Sequence, residues 1–182
     1  MSEEESNSAP TEASVMDDET YAFVQEVFQL ARGGDAGRLR DYLEHGLVPN
    51  IRDGRGNSLL MLATYNGNYE AVRVLLEHGG DPELVNDNGQ IPLAGSAFKG
   101  DTEMARLLIN HGADVNARMS DGKTALMLAA MFNRTEIIDL LLTRGADASL
   151  QTDDGMTALS LAQKMEAQAA AERLGAVGKS ND

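Results

Sequence analysis

No cysteine occurs in the chain, so disulfides and thiolate metal sites are excluded outright. That absence suits a reducing compartment. No apolar run approaches the length needed to cross a bilayer, and the start, M-S-E-E-E-S, is acidic where a secretory signal is basic and then apolar. The expected location is therefore cytoplasmic. Positive charge is also scarce: 15 Lys and Arg stand against 29 Asp and Glu, a formal net charge of −14. Nucleic acid and anionic membrane both require a positive footprint, so neither is expected as the main partner. Aromatic residues make up only 4% of the chain, which makes the position of each one informative.

The charge is uneven. Residues 1–19 hold Glu3, Glu4, Glu5, Glu12, Asp17, Asp18 and Glu19 without a single Lys or Arg, half of the acidic excess. With little apolar surface to offset ordering entropy, this stretch reads as a disordered acidic tail. It reads first as a solubilising tail and secondly as an interaction arm. Residues 176–182 form a second tail.

What fills the rest is repetition. Gly56, Gly89, Gly122 and Gly155 are spaced by 33 residues, and so are Gly46, Gly79, Gly112 and Gly145. The units are 20–52, 53–85, 86–118, 119–151 and a degenerate 152–175, each reading as turn, short helix, loop and longer helix. A period of this size marks a stacked helical array with atypical terminal units. In the first unit, Phe23, Val24, Val27, Phe28 and Ala31 fall at helical spacing, with Thr20 as the expected N-cap.

The recurring residues have physical roles. The glycines of the first series sit in turns that need a positive φ. Ser58, Thr124 and Thr157 are placed to cap the first helix of their units, and Pro92 suits a first helical position. Leu60, Leu93, Leu126 and Leu159 point into the stack, while Ala63, Ala97, Ala129, Ala130 and Ala162 allow close helix approach. Gly34, Gly67, Gly100 and Asn133 share one position between the helices, where a left-handed residue is expected. Glu70, Glu103 and Glu136 open the second helix, favourably for its dipole.

The segments D-G-R-G-N-S-L-L-M-L-A-T, N-D-N-G-Q-I-P-L-A-G-S-A and M-S-D-G-K-T-A-L-M-L-A-A, with endings L-L-E-H-G-G-D, L-I-N-H-G-A-D and L-L-T-R-G-A-D, closely resemble the ankyrin repeat family. The resemblance covers roughly residues 20–175. It implies an all-α helical repeat solenoid with short β-hairpin turns, about five units including caps, L-shaped and with a concave binding surface. Some positions depart from the family pattern. Met61, Ala94, Met127 and Ser160 stand where the motif has His. Gly95-Ser96 interrupts the first helix of the third unit, which is expected to be the softest, and Glu166 replaces the last loop Gly.

His45, His78 and His111 also recur at 33 residues and raise the question of a metal. Helices in a stack lie about 8–10 Å apart, whereas two imidazoles on one zinc must both approach within about 2.1 Å of it. A role at the helix C-terminus fits better. Asp81, Asp114 and Asp147, with Asn50, Asn86 and Asn116 nearby, read as turn residues. Residues 53–56 superficially match a calcium loop without its ligand spacing or terminal Glu. No Ser/His/Asp order, nucleophile elbow, P-loop or G-x-G-x-x-G is present. The reading is of a protein that is not an enzyme and uses no cofactor or metal.

Binding surface is expected where the first helices end, at Arg32-Gly33, Tyr65-Asn66, Phe98-Lys99, Met131-Phe132 and Lys164-Met165. By the family resemblance these positions and the hairpin tips commonly touch partners. Tyr65, Phe98 and Met131 would form a ladder flanked by Lys99 and Phe132, with Arg55, Arg118 and Lys123 at the tips. The expected function is a non-catalytic module that docks another protein, with a basic patch to suit the acidic balance, and inhibits, shields or chaperones it. The alternative is a repeat protein, otherwise monomeric, that self-associates through the same patch.

Overall fold

A computed structural model describes residues 17–177. Most of the predicted acidic tail, and the end of the C-terminal one, lie outside the described residues.

The described chain forms ten helices in five antiparallel pairs. The inner helices are α1 (Asp18–Gly33), α3 (Leu59–Tyr65), α5 (Pro92–Lys99), α7 (Ala125–Met131) and α9 (Ala158–Lys164). The outer ones are α2 (Ala36–Glu44), α4 (Tyr69–Glu77), α6 (Thr102–Asn110), α8 (Thr135–Thr143) and α10 (Gln168–Val177). Each inner helix packs on the next inner helix and on its own outer partner, and successive outer helices meet in turn. Such an array buries its core between neighbours rather than around one centre.

Local chemistry sets the helix ends. Ser58, Thr124 and Thr157 accept the N–H of the residue three positions on, and α5 instead starts with Pro92 behind Ile91. The first helix starts earlier than its sequence suggested. Asp17, not Thr20, is the N-cap: its carboxylate accepts the Thr20 N–H at 2.8 Å and the Thr20 hydroxyl at 2.9 Å. At the other end α10 runs to Val177, two residues into the stretch expected to be a tail.

Between paired helices the chain takes one left-handed residue, with φ of 78° at Gly34, 72° at Gly67, 82° at Gly100, 55° at Asn133 and 56° at Glu166. The hairpins are turns each closed by two backbone bonds, such as Asn86 N–H to the Gln90 carbonyl at 3.0 Å with Gly89 N–H to the Asn86 carbonyl at 2.8 Å. Among the described residues the pairing amounts to one isolated antiparallel bridge, Arg52 with Ser58. Leu60, Leu93 and Leu126 are fully buried, as are Ala63, Ala97, Ala129, Ala130 and Ala162. Leu159, with no inner helix beyond it, is only partly covered.

Candidate functional site

Inner helices of seven or eight residues end abruptly, and their last side chains stand beside the hairpins rather than in the core. Three of these ends converge. Tyr65 closes α3, Phe98 lies in the last turn of α5, and Met131 closes α7 with Phe132 as its C-cap. Together with Gln90, Met119, Asp121 and Lys123 from the neighbouring hairpins they enclose a groove of about 400 Å³.

Its walls are chiefly apolar. Phe98 and Phe132 meet edge to face, with centroids 4.6 Å apart and planes at 80°, yet remain 47% and 36% exposed. Tyr65 is half-buried, and burial pushes its hydroxyl pKa up. Its ring leans on Gly95, where a Cβ would stand 3.4 Å from Tyr65 Cζ. A methyl at Gly95 would thus touch the ring without displacing it. Ser96 remains paired within the helix, donating its hydroxyl to the Leu93 carbonyl at 2.7 Å.

The polar edge is one ion pair, Lys123 Nζ to Asp121 at 2.5 Å. Burial pushes the Asp121 carboxyl up, but hydrogen bonds from the Lys123 ammonium and N–H outweigh it and hold the group below its ordinary value.

Of the residues singled out by sequence, Tyr65, Phe98, Met131, Phe132 and Lys123 line this groove. Three do not. Lys99 turns back to donate its ammonium to the Tyr65 carbonyl and faces a hollow on the outer side. Arg55 lines a separate depression with Tyr21 and Arg32. Arg118 donates to the Gln151 carbonyl at 2.6 Å and lies 4.0 Å from Asp153, toward the last unit. A long cationic side chain at a turn finds a carbonyl or carboxylate nearby, and the repeat register does not say which.

Sequence reasoning passed over Met119. It occupies the register position of Asp53, Asn86 and Thr152, whose side-chain oxygens all accept backbone N–H groups inside their own turns. A methionine there abandons that turn bond and supplies apolar wall instead. The broken pattern was a signal available in the sequence.

The three histidines are C-caps of α2, α4 and α6, each with Nδ1 donating to the carbonyl four residues back, at 2.6, 2.8 and 2.9 Å. Asp81, Asp114 and Asp147 accept N–H groups two residues on, all at 2.8 Å. Among the described residues no three His, Asp or Glu side chains gather as metal ligands, and no helix is long and apolar enough to cross a membrane.

Family comparison agrees with this architecture. The model for three copies of ankyrin repeats matches residues 27–119, and that for many copies matches residues 108–162. The chain belongs to the ankyrin repeat family. It is also 50% identical over 59 residues to an ankyrin repeat protein of Pseudomonas aeruginosa. That match covers 32% of this chain and 34% of the relative, so the chain spans about a third of the length of the curated relative it matches. Ankyrin repeats are in general modules for protein–protein interaction rather than catalysis.

Proposed function

We propose that this ankyrin repeat protein binds a partner protein in the groove between Tyr65, Phe98, Met131 and Phe132, with the adjoining hairpins setting orientation. The observation that carries the reading is the Phe98–Phe132 pair: two edge-to-face rings left partly in water at the mouth of an apolar hollow. Exposed aromatic surface of this kind is costly unless something covers it, and aromatic anchors dominate binding energy at interfaces.

The protein performs no chemistry of its own in this reading. It acts by occupying a surface of its partner, so as to inhibit, shield or chaperone it, in the cytoplasm and as a monomer. The net charge of −14 favours a partner with a basic patch through long-range attraction.

The test compares affinity capture from native lysate by the wild-type protein and by a Tyr65→Ala, Phe98→Ala, Met131→Ala variant with an unchanged circular dichroism spectrum. A protein retained by the first and lost by the second supports the groove. Identical capture by both defeats it. Sedimentation at several concentrations separates the alternative, because a mass that rises with concentration and does so only with the patch intact would mean self-association.

A further inference from the structure

On the outer side of Phe98 the surface changes character. A second hollow, about 770 Å³, is bordered by Asp101, Glu103, Glu136 and Asp139 against the two cations Lys99 and Arg106. Lys99 links the two depressions, since it follows Phe98 directly in α5.

The repeat pattern shows how this charge arises. In α4, Glu70 pairs with Arg73 at 3.6 Å, and in α6, Glu103 pairs with Arg106 at 3.5 Å, both one helical turn on. In α8 the register position of those arginines is Asp139, so Glu136 meets a second carboxylate where its counterparts meet a cation. The other acids of the hollow are occupied. Asp101 accepts the Tyr69 hydroxyl at 2.8 and 2.9 Å, Glu103 has Arg106, and Asp139 is paired with Arg173 from α10. The exposed Glu136 carboxylate has no partner among the described residues. A cation arriving there meets a carboxylate that, unlike Glu70 and Glu103, has no arginine one turn on in its own helix.

We infer that the segment seated in the groove carries one large apolar side chain and, within a few residues, an arginine or lysine that lies against Glu136. This rests on the groove being the docking site and adds the chemistry of the occupant. The apolar side chain fills the space between Tyr65, Phe98 and Met131. The cation passes beyond the Phe98–Phe132 pair and ends in the hollow with the excess of carboxylates.

The experiment selects binders from a random linear peptide library on the full chain, then titrates synthetic copies against wild type, Phe98→Ala, Glu136→Gln and, as a distant control, Glu44→Gln. Selected peptides should pair Phe, Tyr, Leu or Met with a nearby Arg or Lys. Phe98→Ala should weaken them more than about fivefold. Glu136→Gln should weaken them about two- to fivefold and flatten the fall of affinity with salt, while Glu44→Gln changes neither.

Peptides without basic residues, or sensitive to Phe98→Ala but not to Glu136→Gln, overturn the inference and leave the groove standing. Binding insensitive to Phe98→Ala removes the groove reading itself. A library that yields no enriched peptide overturns the inference as well, because the groove would then not hold a short segment.

Discussion

The ring of Tyr65 rests against Gly95 of the next inner helix, and a methyl group at Gly95 would meet Cζ at 3.4 Å, an ordinary van der Waals contact. Two otherwise separate features are joined there: a glycine that weakens α5 and the wall of the proposed binding groove. Gly95→Ala is accordingly expected to raise stability by about 0.5–1 kcal/mol through helix propensity. It is also expected to weaken partner binding by narrowing the groove. Urea unfolding and titration of the captured partner measure the two effects independently. A variant that loses stability would mean that the Tyr65 ring cannot accommodate the methyl.

Glu166 and Asn133 both hold positive φ where three other units have glycine, but the two are not equivalent. Asn133 Oδ1 accepts the Ala170 N–H at 2.9 Å and so ties the α7–α8 loop to α10, which offsets its strain. Glu166 is exposed, and no side-chain bond of that kind accompanies it. Glu166→Gly should therefore stabilise by about 1 kcal/mol, while Asn133→Gly should gain nothing. Thermal unfolding of the two variants checks this, and equal gains would show the Asn133 bond to be worthless.

Thr64 is 2% exposed and its hydroxyl has no hydrogen-bond partner. Ala97 and Ala130 hold the same register position in the next two units. Exchange for the isosteric Val removes an unpaired hydroxyl from a dry site without opening a cavity, and should add about 1 kcal/mol with an unchanged denaturant slope. A loss of stability would instead reveal a bond from this hydroxyl to the backbone of α3.

The stacked helices were legible in the sequence because each recurring residue answers a local need that returns every 33 positions: a capping hydroxyl at Thr124, a positive φ at Gly122, a buried Leu126. The groove was legible in part. The ends of α3, α5 and α7 follow from register, so Tyr65, Phe98 and Met131 could be placed on one side of the stack. Register does not show that Phe98 pairs with Phe132 across units, or that Lys99 and Arg118 turn to backbone carbonyls. Those outcomes depend on which acceptor lies within reach of a flexible side chain, a property of the assembled stack. Met119 and Asp139 are different: both break a pattern visible along the chain, one losing a turn acceptor and the other a helix cation.

A third broken pattern gives a pH-dependent prediction. Asn50 accepts the Asp81 N–H at 2.9 Å and donates to the Gly79 carbonyl at 3.1 Å. Asn116 does the same with Asp147 and Gly145, at 2.8 and 3.4 Å. The equivalent residue between them is Glu83, which accepts the Asp114 N–H at 2.9 Å but, when ionised, has no hydrogen to donate. Burial raises its pKa, the Asp114 N–H opposes that, and the charges of Asp114 and Asp81 raise it further, so it lies above the ordinary glutamate value of about 4.5. A carboxyl with a raised pKa in the folded state contributes stability that is fully present below its unfolded value and lost as pH climbs through its folded value. Glu83→Gln is neutral at every pH and keeps both an acceptor and a donor. The two proteins should thus be about equally stable near pH 4, with the variant gaining about 0.5–1 kcal/mol by pH 7 from one restored hydrogen bond. The carboxyls held below their ordinary values, Asp53, Asp121 and Asp147 among them, titrate alike in both proteins and cancel in the difference. Urea unfolding of both at intervals from pH 4 to 8 measures that difference directly, and a difference that does not change with pH would show that Glu83 titrates as it does in the unfolded chain.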